Sequence, residues 1–121
     1  MDYNVAVLGA SSNPERYSYK AVKLLAEHDD CVFPVHPSKR PIDGIQCYAS
    51  LGDIGREIDT ISVYMSPRNS TPLIDQIIAA NPRRVILNPG TENPELRERC
   101  QEAGIEVIEA CTLVLLNTGQ F

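Results

Sequence analysis

The first candidate ligand-binding loop follows an apolar run near the start of the chain. Residues 5–8 lead into a glycine and a set of small polar residues, Gly9-Ala10-Ser11-Ser12-Asn13-Pro14. Glycine permits a tight turn, and serine and asparagine can donate hydrogen bonds to phosphate oxygens beside the free N–H groups of a following helix. Arg16 and Lys20 could add positive charge. The pattern fits a phosphate-binding loop, and it also fits an ordinary strand-to-helix turn with a serine cap.

This loop lacks two familiar phosphate-binding signatures. Only the first glycine of the G-x-G-x-x-G fingerprint is present, and the G-K-[ST] of the P-loop is missing. The second apolar run ends in His36-Pro37-Ser38-Lys39-Arg40. An NAD site needs an acidic residue there to bind the ribose hydroxyls. Two cations instead favour a ligand with another phosphate near adenosine, such as NADP or coenzyme A, although a solvated basic loop explains them equally well.

Two later loops carry proline directly after an apolar run. They are Met65-Ser66-Pro67-Arg68 and Asn88-Pro89-Gly90. Proline removes a backbone donor and stiffens a loop. Stiff loops of this kind suit the flat face of a base or a pantetheine arm better than a catalytic acid–base pair, and simple turn chemistry is the alternative.

Neither a metal site nor a catalytic group is indicated by the remaining reactive residues. The four cysteines form no C-x-x-C pair and only two histidines are present, so zinc-site spacing is absent. Cys111 follows the last predicted strand, and His36 is the only histidine near the predicted site. These two side chains are the candidates for any catalysis. We expect no metal ligand and no catalytic residue.

Alternating apolar runs and helical patterns supply the elements that must position these loops. The predicted strands are Asn4–Leu8, Cys31–Val35, 60–65, Arg84–Leu87 and 105–108. The predicted helices are Tyr17–Glu27, broken at 28–30, then 71–81 and 93–104, with a helical tail at 111–116. A short extension is predicted at 45–48, a short helix or turn capped by Ser50 at 49–58, and loops at 37–44 and 66–70. Strands that alternate with helices predict a mostly parallel sheet with helices on both faces, and a ligand beyond the carboxyl ends of the strands.

Composition restricts the class of protein and the class of partner. The 121 residues fit one domain over 1–121, and the formal charge of −5 argues against nucleic-acid or anionic-membrane partners but not against a small phosphate ligand. No apolar run is long enough to span a bilayer, and no secretory pattern follows Met1 and Asp2. We therefore expect a cytoplasmic protein with reduced cysteines.

Several short motifs resemble one known family, in order, over nearly the whole chain. Besides the first loop they are Ser18-Tyr19, Val32-Phe33-Pro34-Val35-His36-Pro37, Gly44-Ile45-Gln46-Cys47-Tyr48, Ser50-Leu51-Gly52-Asp53-Ile54, Asn88-Pro89-Gly90-Thr91-Glu92-Asn93-Pro94 and Gly104-Ile105-Glu106-Val107-Ile108. Together they resemble the stand-alone CoA-binding domain proteins, which are similar to the N-terminal CoA-binding domain of the succinyl-CoA synthetase alpha subunit.

The resemblance implies a Rossmann-like three-layer sandwich of about five strands that binds coenzyme A or an acyl-CoA. The implied phosphate contacts are Gly9, Ala10, Ser11, Ser12, Asn13, Arg16 and Ser18. The residues that the resemblance places along the adenosine and its 3′-phosphate are His36, Pro37, Ser38 and Lys39. The residues that the resemblance places along the adenine and the pantetheine arm are Met65, Ser66, Pro67, Asn88, Pro89 and Gly90. His36 stands where the family commonly has asparagine, and Tyr17 where it commonly has proline.

The main hypothesis is a small coenzyme A-binding protein without catalysis of its own. The synthetase's phosphorylated histidine belongs to a further domain that these residues do not include, so the resemblance implies no acyl-CoA synthesis by this polypeptide alone. The alternatives are an NAD(P)-binding or CoA-dependent small enzyme that uses Cys111 or His36, and a protein-interaction subunit whose ligand site is lost. Each is compatible with a homo-oligomer or a protein partner.

Overall fold

The computed structural model describes residues 3–28 and 30–121, whose strands form one all-parallel sheet. The strands are β1 (Asn4–Leu8), β2 (Cys31–Val35), β3 (Thr60–Val63), β4 (Arg84–Leu87) and β5 (Glu106–Glu109). Their order across the sheet is β2-β1-β3-β4-β5. Met1, Asp2 and Asp29 lie outside the described residues, and so does the centre of the helix break predicted at 28–30. The predicted α/β Rossmann-like fold is confirmed.

Helices cover both faces of this sheet. They are α1 (Tyr17–Glu27), α2 (Pro67–Ser70), α3 (Ile74–Ala80), α4 (Pro94–Glu102) and α5 (Thr112–Asn117). The buried side chains of α1 and α5 pack with Val5 and Val7, whereas those of α3 and α4 pack with Ala6 and Leu8. Both faces of β1 are therefore buried, which explains its uninterrupted apolar sequence. No helix in the described ranges is long and apolar enough to cross a membrane.

Several predicted boundaries shift because backbone groups are bonded elsewhere. The last strand begins one residue late, since the Ile105 N–H bonds the Cys100 carbonyl at 2.9 Å and closes the end of α4. The predicted 66–70 loop is wrong: α2 begins at Pro67 and continues through a 3-10 turn, Thr71–Leu73, into α3. The third strand ends at Val63, two residues before its predicted limit. The tail helix runs from Thr112 to Asn117.

The segment between β2 and β3 is less regular than predicted. Only the 3-10 turn Leu51–Asp53 forms within 49–58, and the Ser50 side chain makes no capping hydrogen bond there. The extension at 45–48 contributes isolated bridges, one of which pairs Tyr48 with Val35. This bridge places the segment beside the carboxyl end of β2.

The strand order creates a switch point between β1 and β3. From this pair the sheet grows outward in both directions, to β2 on one side and to β4 and β5 on the other. The chain leaves β1 toward α1 on one face, and leaves β3 toward α2 and α3 on the opposite face. Because the two connections diverge, a crevice opens at the carboxyl edge, where ligands bind in open α/β sheets.

Gly9 is the residue that allows β1 to turn at this edge. Its φ is +81°, and a Cβ built on it would lie 2.8 Å from the Tyr64 carbonyl oxygen and 3.1 Å from the carbonyl carbon. Its N–H and that of Ala10 both donate to the Val35 carbonyl, at 3.1 and 3.2 Å. The turn is therefore fixed by the backbone of both neighbouring strands, which leaves no room for a side chain.

A buried polar cluster joins the ends of β3 and β4 to the start of α5. The Asn88 side-chain amide donates to the Ser62 hydroxyl at 2.9 Å and the Val63 carbonyl at 2.8 Å, and its oxygen accepts from the Thr112 N–H at 2.8 Å. The Ser62 and Thr112 hydroxyls are 2.8 Å apart. Asn88 is thus bonded on every side by protein groups and fixes the position of α5 over the sheet.

Substitution of Gly9 by alanine is expected to lower the free energy of unfolding by about 2–4 kcal/mol, since it combines left-handed strain with a backbone clash. Gly44→Ala is the matched control, because Gly44 has the same φ of +81° with nothing within 4 Å of its Cβ. It should cost only about 1–2 kcal/mol. Urea denaturation measures both, and equal losses would contradict the proposed close contact with Tyr64.

Removal of the Asn88 amide should destabilise the fold rather than act on a ligand directly. We expect Asn88→Ala to lower the free energy of unfolding by about 2–4 kcal/mol, because it leaves buried donors and acceptors unpaired. The exposed Asn117, at the end of α5, is the control, and Asn117→Ala should change stability by less than about 0.5 kcal/mol. Similar unfolding midpoints for the two variants would show that the cluster is dispensable.

Candidate functional site

A cleft of about 900 Å³ opens at the carboxyl edge of the sheet, beside the switch point. Its walls come from the loop after β1, the start of α1, the end of β2 and the segment after β3. Small-molecule sites usually have volumes of roughly 300–1,000 Å³. Many of the site residues predicted from the sequence line this cleft: Gly9, Ala10, Ser11, Arg16, Ser18, His36, Pro37, Met65 and Ser66.

A smaller cavity of about 280 Å³, the side cavity, adjoins this cleft. It is lined by Ala10, Ser11, Ser12, His36, Ser38 and Arg40, of which Ala10, Ser11 and His36 also line the cleft. The two cavities therefore share a wall formed by the first loop and by the residue that follows β2. Ser12, predicted with the first loop, lies on the side cavity.

Six predicted site residues line neither cavity: Asn13, Lys39, Pro67, Asn88, Pro89 and Gly90. The Asn88 side chain is hydrogen-bonded within the buried polar cluster, and the Gly90 N–H donates to the Glu92 carboxylate at 3.1 Å. Pro67 begins a helix, and Lys39 has a left-handed backbone with a φ of 57°. Cys111, the candidate nucleophile, is half-buried before α5 and lines neither cavity.

The first loop is shaped by its own side chains. The Ser11 hydroxyl accepts the Asn13 N–H at 3.0 Å, and the Asn13 side-chain oxygen accepts the Glu15 N–H at 3.0 Å. The Asn13 carbonyl then accepts the Arg16 N–H at 3.0 Å. These short-range bonds are typical of turns with serine and asparagine, and they set the direction in which the chain enters α1.

The N-terminus of α1 faces the cleft without a protein cap. Arg16 is the N-cap residue, its side chain makes no capping hydrogen bond, and the first turn carries no acidic residue. Arg16, Tyr17 and Ser18 all line the cleft. The first N–H groups of a helix have no partner within it, so this end of α1 offers donors and a partial positive charge.

The charges on the cleft wall favour an anion. Arg16 contributes a guanidinium and His36 an imidazole, and no Asp or Glu among residues 3–28 and 30–121 lines either cavity. Arg16 makes no salt bridge with any residue in the described ranges. The exposed Arg40 adds a second positive charge on the side cavity. The wall therefore attracts negative charge although the whole chain is acidic.

His36 is held in a defined orientation by the turn that follows it. The Ser38 N–H donates to His36 Nδ1 at 3.0 Å, and the Ser38 hydroxyl lies 2.8 Å from the same nitrogen. The Lys39 N–H donates to the His36 carbonyl at 3.0 Å. A backbone N–H can only donate, so Nδ1 carries a lone pair and the neutral ring has its proton on Nε2.

Sequence reasoning missed part of the cleft wall. Asn69, Leu73 and Gln76 line it because the chain is helical from Pro67 to Ala80, and the Ser66-Pro67 pair is the helix-start signal that could have placed Asn69 in this helical segment. Tyr64 also lines the cleft, and its buried hydroxyl has no hydrogen-bond partner among the described residues. Burial raises the pKa of Tyr64 to about 12, so the phenol stays protonated at neutral pH. Tyr17 is 68% exposed at the cleft.

The thiols and carboxylates do not converge on a metal site. No group of three or more His, Cys, Asp or Glu side chains within residues 3–28 and 30–121 is arranged to hold a metal ion. All four cysteines are free thiols, and burial raises the pKa of Cys47 and Cys100. The thiols of Cys47 and Cys100 are therefore mainly protonated at neutral pH.

Comparison with known proteins gives related sequences and structures. The chain is 31% identical over 71 residues to the ADP-forming acetate–CoA ligase of Methanocaldococcus jannaschii, which covers 59% of this chain and 10% of the ligase. The match thus spans about a tenth of that relative's length. A crystal structure described only as an uncharacterized protein has a TM-score of 0.92 and 35% identity, covering 100% of this chain and 99% of that one. A Thermus thermophilus protein has a TM-score of 0.90 and 29% identity, covering 98% and 90%.

A family model covers nearly the whole chain. The model for the CoA binding domain matches residues 3–117, which include every strand and helix described above and both cavities. Its span agrees with the full-length structural match. The chain belongs to the CoA-binding domain family.

Proposed function

We propose that this chain is a small cytoplasmic protein that binds coenzyme A, free or acylated, in the cleft and has no catalysis of its own. The observation that carries the proposal is the uncapped N-terminus of α1, which faces a cleft lined by Arg16 and by no carboxylate of the described residues. Such a helix end binds phosphate groups through backbone N–H donors and the helix dipole. Family membership supports coenzyme A as the source of the phosphates.

The rest of the wall suits the other parts of this ligand. Leu51, Met65 and Leu73 offer apolar surface for an adenine ring or a pantetheine arm. Asn69 and Gln76 add amide groups that can bind the amides of such an arm. The end of β2 has no acidic residue for the ribose hydroxyls of NAD, which makes the dinucleotide alternative less suitable.

Nothing in the cleft favours an enzymatic alternative. Within the part of the chain that the structure describes, His36 has no thiol or carboxylate partner on the wall, and Cys111 lines neither cavity. The match to the acetate–CoA ligase covers only 10% of that protein, so its reaction is not transferred to this chain. We therefore propose binding rather than turnover.

Coenzyme A should raise the melting temperature, because a ligand that prefers the folded state stabilises it by mass action. At 100 times its Kd the stabilisation is about 2.7 kcal/mol. The measurement is a thermal-shift panel of coenzyme A, dephospho-CoA, NAD, NADP and FAD at matched concentrations. A clear response to NADP with none to coenzyme A would overturn the proposal.

Arg16→Ala should weaken coenzyme A and dephospho-CoA alike, by about tenfold in Kd, since both carry the pyrophosphate that this cation is proposed to bind. The variant should fold normally, because the Arg16 side chain caps nothing. Arg83→Ala removes the same charge next to the start of β4, at the opposite edge of the sheet, and is the control. Calorimetric titration compares the two, and equal affinities would exclude Arg16 from the site.

A further inference from the structure

Tyr17 is a large aromatic side chain that the fold leaves exposed on the wall of the cleft. It is 68% exposed, and among residues 3–28 and 30–121 the other exposed large apolar side chain is Val114, which lines neither cavity. Tyr17 lines the cleft but not the side cavity. An isolated apolar side chain on a protein surface is ordinary, but one on the wall of a ligand cleft offers apolar area that a bound molecule can cover.

Lys20, one helical turn further along α1, restrains the Tyr17 ring. Its ammonium nitrogen lies over one face of the ring, 5.3 Å from the ring centroid. Side chains three residues apart on a helix are neighbours, and a cation over an aromatic face is attracted to it even at an exposed site. Because the ammonium covers one face, a ligand packs against the opposite face of the ring.

The position of Tyr17 in α1 decides which part of a nucleotide the ring can meet. Tyr17 is the first residue of the helix and follows Arg16, the cation proposed to bind the pyrophosphate. A group that packs on the ring is therefore joined closely to the pyrophosphate within the ligand. In coenzyme A the pyrophosphate carries a ribose on one side and, on the other, the pantoyl unit, whose quaternary carbon bears two methyl groups. Methyl groups gain from burial against an aromatic ring, whereas the hydroxyls of a ribose lose their contact with water there.

We propose that the Tyr17 ring packs against the two methyl groups of the pantoyl unit and thereby selects nucleotides that carry a pantetheine arm. This proposal rests on the proposed function and names the residue that makes the cleft specific. NAD, NADP and FAD have a polar sugar or ribityl chain on each side of their pyrophosphate, so they gain little from the ring. Lys20 is a positioning residue, because it acts through the orientation of Tyr17.

Calorimetric titration of coenzyme A and of 3′-phospho-ADP, which is coenzyme A without its pantetheine arm, tests this assignment. Tyr17→Ala should raise the Kd for coenzyme A by about tenfold, roughly the value of two buried methyl groups, and the Kd for 3′-phospho-ADP by less than about twofold. Tyr17→Phe retains the ring and should bind both ligands within about twofold of the natural sequence. Val114→Ala removes the other exposed apolar side chain, away from both cavities, and should change neither affinity.

The outcomes separate this proposal from the proposed function. Tyr17 is mostly exposed, so each variant should fold normally, which circular dichroism checks. If the natural sequence does not bind coenzyme A, the proposed function fails and the assignment of Tyr17 fails with it. If coenzyme A binds and Tyr17→Ala leaves its Kd unchanged, only the assignment of Tyr17 fails. If Tyr17→Ala weakens both ligands by the same factor, the ring contacts the adenosine half, which also overturns the pantoyl contact.

Proton NMR of bound coenzyme A measures the contact directly. The ring current of an aromatic face shifts nearby protons upfield, so we expect both pantoyl methyl signals to move upfield and to show nuclear Overhauser effects to the Tyr17 ring protons. The shift should persist in Tyr17→Phe and disappear in Tyr17→Ala. It should shrink in Lys20→Met and recover in Lys20→Arg, which restores a cation over the ring. Nuclear Overhauser effects from the ring to adenine protons instead of the methyl groups, or a methyl shift unchanged in Tyr17→Ala, would overturn the proposal.

Discussion

The close approach of Gly9 to the Tyr64 backbone is the constraint on which the site depends. Parallel pairing brings the carboxyl ends of β1 and β3 side by side, so two loops must leave the same point of the sheet. Because residue 9 has no side chain, the first loop can bend toward Val35 while the Tyr64 carbonyl stays 2.8 Å from its Cβ position. The two chains can then separate to opposite faces, and their separation is what opens the cleft.

Buried polar groups that do not line the cleft hold the surrounding helices in place. Asn88, Ser62 and Thr112 satisfy one another and fix α5, whose neighbour α1 carries the exposed helix end. On the other side, the Asn93 amide donates to Ser70 and Thr71 and its oxygen accepts from Leu96, so α4 is tied to the helical segment after β3. Buried polar bonds of this kind resist sliding of the helices, and they keep the walls of the cleft at a fixed separation.

Sequence alone predicted the parts of the fold whose signals are local and strong. The strand Asn4–Leu8 and the helix Tyr17–Glu27 have the predicted limits, because an apolar run, a glycine and a change of period leave few alternatives. The sequence pattern predicts a loop at Pro67 because Thr71-Pro72 offers a second helix start four residues later, and local pattern does not decide between the two starts. The pattern also predicts that Ile105 belongs to the last strand, because the hydrogen bond from its N–H to the Cys100 carbonyl depends on how α4 ends.

The candidate site shows a similar division between what local sequence reveals and what it does not. The position of each loop after a strand identifies it as a candidate, but that position does not indicate which of its side chains line the cleft. Asn88 follows β4 as expected for a ligand contact, yet it bonds to Ser62, Val63 and Thr112. Lys39 and Arg40 are adjacent in sequence, yet of the two only Arg40 lines the side cavity, and the sequence pattern does not indicate which one does.

The positive wall of the cleft lies within a chain whose formal charge is −5, which gives opposite electrostatic effects at long and short range. At a distance, an anionic ligand meets a repulsive field that extends about 10 Å in 0.1 M salt. At contact it meets Arg16 and Arg40. Added salt would then speed the approach of such a ligand and also shorten its residence time, so the association and dissociation rates would both rise with ionic strength.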